Sequence, residues 1–246
     1  DGLKPDWFGK VDPLTDAPSD SNQLPTDMQV IGAVQRAADE DTVVMCAAGT
    51  MPGELHKLWK AGRPGSYHME YGFSCMGYEI AGAMGIKLAQ PERDVICFTG
   101  DGTYMMANSE MATAAMMGIS FTVVVTDNRG FGCINRLQIG TGGAEFNNLL
   151  DHAVHSVPSA IDFAAHAGAM GATSVKVSSI AALEQALAGR HEITGPYVIV
   201  IDTDPYPSTE YGGTWWEVAV PEVSVRKNVN DARKDYVANK KTQRAD

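Results

Sequence analysis

Two short polar clusters in this chain are placed to do metal chemistry. Gly100-Asp101-Gly102 follows the apolar run Val95-Ile96-Cys97-Phe98-Thr99, and Asp127-Asn128 follows Phe121-Thr122-Val123-Val124-Val125-Thr126. The Asp101 carboxylate and the Asn128 amide oxygen are hard donors. Two such oxygens facing one small volume suit Mg²⁺, which takes one or two protein oxygens and leaves its remaining positions to phosphate and water. Taken singly, each cluster is an ordinary turn, because Gly, Asp and Asn all favour turns. The joint pattern is what points to a site: a Gly-Asp-Gly after one run, a helix-length segment, then an Asn after the next run.

The pattern works only if the two runs are neighbouring strands. Both are short, rich in β-branched residues and free of polar alternation, as strands buried on both faces of a parallel sheet are. Residues 104–117 between them carry helix formers, with Gly118 as the C-cap. In a strand–helix–strand unit of this kind the adjacent strand ends lie about 5 Å apart. Ligands of open parallel sheets bind in the crevice outside those carboxyl ends.

The rest of the chain supplies more of the same sheet. Thr26-Asp27 caps a helix over residues 28–38. Val43-Val44-Met45-Cys46-Ala47 reads as a buried strand with Ala48 to Gly53 as its exit loop, followed by a helix over 54–59. Arg63-Pro64-Gly65 is a breaker and Tyr71 to Gly77 a tight loop. Tyr78–Ala89 is a small-residue helix. Residues 162–170 and Ile180–Ala188 are helices flanking Ser174-Val175-Lys176-Val177, and Tyr197 to Asp202 is the last buried strand. Alternating strands and helices predict an α/β fold, a doubly wound and mainly parallel sheet in three α/β/α layers. Residues 1–25, rich in Asp, Pro, Ser and Asn, read as a linker or arm. Residues 26–205 form the sheet domain, and 206–246 an extension ending in a charged surface helix from residue 226.

Composition narrows the function. The 246 residues are 44% hydrophobic, enough for a proper core, and carry a net charge of −11 with no basic stripe, which argues against a nucleic-acid partner. No apolar run reaches membrane-spanning length and no secretory signal opens the chain. Cys46, Cys75, Cys97 and Cys133 make no CxxC pair, so a reducing cytoplasm is the expected compartment. His152 and His155 lack the glutamate of a zinc hydrolase and read as surface histidines. Gly140-Thr141-Gly142-Gly143 is expected to be a flexible loop. The first residue is Asp1, which suggests a piece of a longer or processed protein.

With Gly100-Asp101-Gly102 and Asp127-Asn128 in place, the chain resembles the diphosphate-binding domain of thiamine diphosphate enzymes from about residue 26 to 204. Four unusual stretches sharpen this: Gly49 to Trp59, Tyr71 to Glu79, Gly130 to Gln138, and Gly212-Gly213-Thr214-Trp215-Trp216. They look like the carboxyl-terminal part of the branch that opens a trihydroxycyclohexane-1,2-dione ring in myo-inositol catabolism, yielding 5-deoxyglucuronate. The resemblance implies thiamine diphosphate and Mg²⁺ as cofactors, with Asp101, Asn128 and the backbone carbonyl of Gly130 as metal ligands. It implies diphosphate contacts at Gly49, Thr50, Gly102 and Thr103, an aminopyrimidine contact at the Ser74 backbone, and a bent-cofactor prop in Met76. Met76 reads equally as a core methionine. Glu79 is read as capping a turn, and His56 and His68 as candidates to reach the site. The glutamate that activates the cofactor in this family belongs to a separate pyrimidine-binding domain, expected upstream of Asp1 or on a partner subunit. The resemblance further implies a homo-oligomer that is inactive without that domain. The competing assignments are a carboligase or decarboxylase of the acetolactate synthase type, and a non-catalytic nucleotide-binding domain, for which neither a P-loop nor a dinucleotide fingerprint is present.

Overall fold

Six strands pair in parallel in a computed structural model of the protein, which describes residues 4–20, 23–70, 72–157, 159, 161–211 and 218–243. They are β1 (Val43–Cys46), β2 (Tyr67–Met69), β3 (Val95–Gly100), β4 (Thr122–Asp127), β5 (Thr173–Val177) and β6 (Tyr197–Asp202), in the order β2-β1-β3-β4-β6-β5. The helices are α1 (Lys4–Val11), α2 (Asp27–Ala37), α3 (Thr50–Leu58), α4 (Tyr78–Ala89), α5 (Asp101–Met106), α6 (Glu110–Met117), α7 (Gly132–Gly140), α8 (Phe163–Ala169), α9 (Ile180–Ala188) and α10 (Lys227–Lys240).

The absence of polar alternation in the strands has a direct cause. Successive side chains point to opposite faces, and both faces are covered. Val44, Cys46, Ile96, Phe98, Val124, Ile199 and Ile201 pack with α2, α3 and α9 in one core. Val43, Met45, Val95, Cys97, Val123, Val125, Val198 and Val200 pack with α4, α6 and α8 in the other. This is the doubly wound three-layer arrangement expected from the sequence.

Several segments differ from expectation. β2 was not foreseen; it is a three-residue edge strand aligned with β1, Val44 facing Tyr67. The helix expected over 104–117 is two helices, α5 and α6, and α5 begins at Asp101 itself. Their break is stabilised locally, the Asn108 amide donating to the Tyr104 carbonyl at 2.9 Å. Helix α3 starts at Thr50, so the exit loop of β1 is only Ala47-Ala48-Gly49. The amino-terminal segment is not an irregular arm: α1 and a 3₁₀ turn (Asp12–Thr15) lie on this domain, with Val11 fully buried and the Trp7 indole donating to the Lys57 carbonyl at 2.9 Å. Gly140-Thr141-Gly142-Gly143 closes α7 as a hydrogen-bonded turn, Gly143 N–H donating to the Gln138 carbonyl at 2.9 Å. A Cβ at Gly142 would lie 2.4 Å from the Asn228 backbone, so this turn packs tightly against α10 and is not a loose loop.

Other expectations hold. Thr26 is the N-cap of α2 in a full capping box with Gln29. Gly118 ends α6 at φ 64°, in the left-handed conformation that favours glycine. The stretch Gly212-Gly213-Thr214-Trp215-Trp216 and Tyr71 lie outside the described residues.

Candidate functional site

The order of the strands creates one place for a ligand. From β1 the chain crosses by α3 on one face; from β3 it leaves by α5 and α6 on the other. Adjacent strands whose connections diverge in this way open a crevice at their carboxyl ends. The Ala47-Ala48-Gly49 loop follows β1, and Asp101 follows β3.

Asp101 is the first residue of α5 and is buried, as is Asn128 immediately after β4. The β3–β4 register, with Gly100 opposite Thr126, sets both at the same edge. The Asp101 Oδ2 accepts the Gly130 N–H at 2.8 Å, which draws the β4 exit turn onto the β3 end. Asp127 shapes that turn: its Oδ1 accepts the Arg129 N–H at 3.0 Å, holding Arg129 at φ 59°. Gly130 then runs at φ 146°, and a Cβ there would meet the Asn148 carbonyl at 2.4 Å, so only glycine fits. A Cβ at Gly102 would come within 2.6 Å of the Phe131 ring, so glycine lets that ring approach the first turn of α5.

Two oxygens at this edge have no partner: Asp101 Oδ1 and Asn128 Oδ1, both buried. An unpaired buried oxygen carries a desolvation cost of about 1–3 kcal/mol, and a cation at this edge would offset it for both. The carboxyl group registers this strain. Burial, reinforced by the neighbouring Asp127 carboxylate, pushes Asp101 up to about 7, against the pull of the Gly130 and Gly102 amides. A bound divalent ion reverses that logic by favouring the carboxylate. The donor set, one carboxylate and one amide oxygen, fits Mg²⁺, which needs no cluster of three protein carboxylates or histidines; none occurs among the described residues.

On the other side of the crevice Gly49, at φ 91°, is the N-cap of α3 and Thr50 its first residue. The Thr50 Oγ1 accepts from Arg136 Nη2 at 2.7 Å, and Arg136 also donates to the Pro205 carbonyl. Gly49, Thr50, Ser74, Cys133 and Arg136 share the wall of a cavity of about 790 Å³ that α10 flanks with Tyr236. Asp101, Asn128 and Gly130 are not part of that wall. Within it, buried Glu54 accepts from the Thr209 N–H at 3.1 Å and from its hydroxyl, and Lys57 donates to the Thr209 carbonyl at 2.7 Å.

Ser74 is a non-glycine residue at φ 53°. Glu70 holds the turn around it, its carboxylate accepting the Phe73 N–H at 3.0 Å and the Cys75 N–H at 2.6 Å. Met76 is half-buried, and Gly77 (φ 97°) sits where a Cβ would meet the Ala107 side chain at 2.8 Å, at the α5–α6 break. Thr103 is buried and Gly102 partly so, in the first turn of α5, which has no side-chain cap. Glu79 is buried and does cap a turn, as expected, but reaches further than its own helix. His56 is exposed at the cavity wall, with Nδ1 3.4 Å from the Tyr67 hydroxyl; His68 stacks on Tyr78 and does not line it. The roles of Glu70, Asp127 and Arg136 were not read from the sequence; only the Asp-Asn-Arg-Gly turn carried a local signal.

This arrangement defines an open, doubly wound α/β domain that receives its ligand at the carboxyl edge of the sheet. The chain belongs to the family described as "Thiamine pyrophosphate enzyme, C-terminal TPP binding domain", which it matches over residues 47–201. It is 41% identical over 224 residues to the 3D-(3,5/4)-trihydroxycyclohexane-1,2-dione hydrolase of Bacillus cereus (strain AH820). It is 40% identical over 220 residues to the 3D-(3,5/4)-trihydroxycyclohexane-1,2-dione hydrolase of Bacillus thuringiensis (strain Al Hakam). Each match covers 87% of this chain and 34% of the relative, so the chain spans about a third of their length. Among solved structures, a Rhodococcus jostii RHA1 thiamine diphosphate-dependent 4-hydroxybenzoylformate decarboxylase superposes with a TM-score of 0.68 at 20% identity. That match covers 79% of this chain and 35% of the other, and shows the shared fold.

Proposed function

We propose that this chain is the diphosphate-holding part of a thiamine diphosphate- and Mg²⁺-dependent hydrolase. Its substrate would be trihydroxycyclohexane-1,2-dione, cleaved at a ring carbon–carbon bond to 5-deoxyglucuronate in inositol catabolism. The observation that carries the metal and diphosphate part is the pair of buried, partnerless oxygens on Asp101 and Asn128. The choice of substrate rests on the 40% identity to relatives named for that reaction.

In this reading Asp101 Oδ1, Asn128 Oδ1 and the Gly130 carbonyl hold Mg²⁺, and the ion offsets the diphosphate charge. The amides of Gly102 and Thr103 and the Gly49-Thr50 turn take diphosphate oxygens, as helix starts do. The Ser74 backbone meets the aminopyrimidine, and Met76 keeps the cofactor bent. Bound there, thiamine diphosphate supplies the electron sink for carbon–carbon cleavage. The residues of this chain bind, orient and exclude water.

The remaining two-thirds of the relatives' length is where the pyrimidine-binding domain and its activating glutamate belong. The outward faces of α5 and α6, with exposed Met105, Met106, Met116 and Met117, are the surface offered to that domain or to a second copy in a homo-oligomer. Four unpaired cysteines support a cytoplasmic setting. No helix among the described residues is long and apolar enough to cross a membrane.

The test is turnover of the cyclic dione by the whole protein with thiamine diphosphate and Mg²⁺, followed by identification of the product. A ring-opened acid is expected. Condensation or decarboxylation of 2-oxo acids instead would move the protein to the carboligase or decarboxylase branch.

A further inference from the structure

Glu79 joins two loops with one carboxylate. It lies in the first turn of α4 and is 1% exposed. Its Oε1 accepts the Ala48 N–H at 3.0 Å, and its Oε2 accepts the Gly77 N–H at 2.9 Å. Ala48 precedes Gly49 and Thr50; Gly77 follows Met76. We infer that Glu79 is a positioning residue that clamps the diphosphate-side loop to the turn carrying Met76, so that both ends of the cofactor cradle are held as one unit. The inference rests on the thiamine diphosphate reading above.

The geometry leaves few alternatives for this carboxylate. Burial raises its pKa, while the Ala48 and Gly77 amides pull the other way, so both oxygens are engaged in holding backbone. A capping role alone needs only the Gly77 bond, within the same helix start. The bond to Ala48 spans 31 residues and crosses from α4 to the end of β1. Neither helix start is capped by its own N-cap side chain: Gly49 and Gly77, at φ 91° and 97°, are the N-caps of α3 and α4 and have none to offer. Such positive-φ stems are defined by what anchors them. Gly77 is also wedged against Ala107 behind α5, so a shift of this turn is transmitted to the helix that begins at Asp101.

The substitution Glu79→Gln keeps the volume and one acceptor while replacing the other oxygen by a donor that faces an N–H. Glu79→Ala removes both acceptors. In the whole protein, the dissociation constant for thiamine diphosphate with saturating Mg²⁺ is measured by titration calorimetry, and exchange protection of the Ala48 and Gly77 amides by mass spectrometry of the cofactor-free protein. Glu79→Gln should weaken cofactor binding about tenfold and lower protection at one or both amides, with Glu79→Ala worse on both. A structural role alone would leave the coupling between the loops untouched, so a second measurement is decisive. The effects of Thr50→Ala and Met76→Ala on the dissociation constant should be non-additive with Glu79 present and additive in Glu79→Gln. Wild-type affinity in Glu79→Gln, or unchanged coupling between Thr50 and Met76, overturns the clamp. A wild-type protein that does not bind thiamine diphosphate with Mg²⁺ overturns the proposed function itself and the clamp with it, a result seen before any variant is made.

Discussion

Asp101 and Asn128 show how much a single residue pair can carry. In the fold each presents one buried side-chain oxygen without a partner, and in the proposed function each is a metal ligand. Asp101→Ala and Asn128→Ala should therefore each abolish Mg²⁺-dependent binding of thiamine diphosphate by the whole protein, because the ion loses one of few protein oxygens and the diphosphate charge is left uncompensated. Calorimetric titration checks this; wild-type affinity in either variant removes the metal assignment. Met76 separates two readings in the same way. As a cofactor prop, Met76→Ala lowers turnover more than stability. As a core methionine, it costs about 2–5 kcal/mol of stability with little specific kinetic effect. Comparing the melting temperature with kcat decides between them. These residues were legible in the sequence because short local motifs hold them: Gly-Asp-Gly, Asp-Asn and the glycines around Met76. Glu79, Glu70 and Arg136 were not legible as site residues, because each acts on backbone or hydroxyl groups brought to it by the fold. The Glu79 bond to Ala48 and the Arg136 bond to Thr50 span 31 and 86 residues, and no spacing rule reaches that far.

Elements built from long apolar runs were readable, and elements stabilised by tertiary contact were not. β1, β3, β4 and β6 declare themselves because both faces are buried. β2 is three residues, includes an exposed His68 and owes its existence to pairing with β1. α5 and α6 look continuous because helix formers flank the short break at Ala107-Asn108-Ser109, where the Asn108 side chain takes the Tyr104 carbonyl. α1 is obscured by its Asp and Pro content. Two buried charges at element ends give opposite predictions. Arg190, after α9, donates to both the Ala37 carbonyl and Asp94 Oδ2, at 2.9 and 2.8 Å, so it ties α2, α9 and the start of β3 together. Arg190→Ala strips Asp94 of its ion-pair partner, leaving it the Thr42 hydroxyl, and removes the donor to the Ala37 carbonyl; it should lower the unfolding free energy by about 3–5 kcal/mol, read from urea denaturation. Asp27, in the first turn of α2, has one oxygen without a partner, and burial, partly countered by the Arg136 guanidinium and the Thr203 hydroxyl, pushes it up to about 6 from the ordinary 3.8. A carboxyl group raised on folding favours the native state below its unfolded value and loses that contribution as pH rises through the folded one. Asp27→Asn should thus stabilise the protein at pH values above about 6, by up to roughly 3 kcal/mol, and change little near pH 4. Equal effects at both ends of that range, or destabilisation at neutral pH, would mean that the attraction to Arg136 outweighs burial.

At the scale of the whole molecule, the sheet is complete while the site is open. Both faces of the four central strands β1, β3, β4 and β6 are covered by helices of this chain, so the domain contains the core it needs to fold. The crevice at the β1 and β3 ends is where the proposed function places the diphosphate and its metal, and in that reading the activating glutamate comes from outside these residues. The chain spans about a third of its relatives' length. In the proposed function the pyrimidine half of the cofactor is held by the rest of that length or by a partner. The surface that the proposed function offers to the partner carries exposed methionines: Met116 is 80% exposed, with Met105, Met106 and Met117 near it in sequence on α5 and α6. Large exposed apolar side chains on an isolated domain favour association. The 246-residue chain on its own should therefore show the circular dichroism and cooperative melting of a folded α/β domain, self-associate in sedimentation velocity, and give no steady turnover of the cyclic dione with thiamine diphosphate and Mg²⁺. Addition of the amino-terminal part of the protein should restore turnover and shift the sedimentation profile from self-associated species to the mixed complex. Steady turnover by the isolated chain would mean that the activating group lies within these residues after all, and a strictly monomeric chain would mean that the methionine surface is not the docking face.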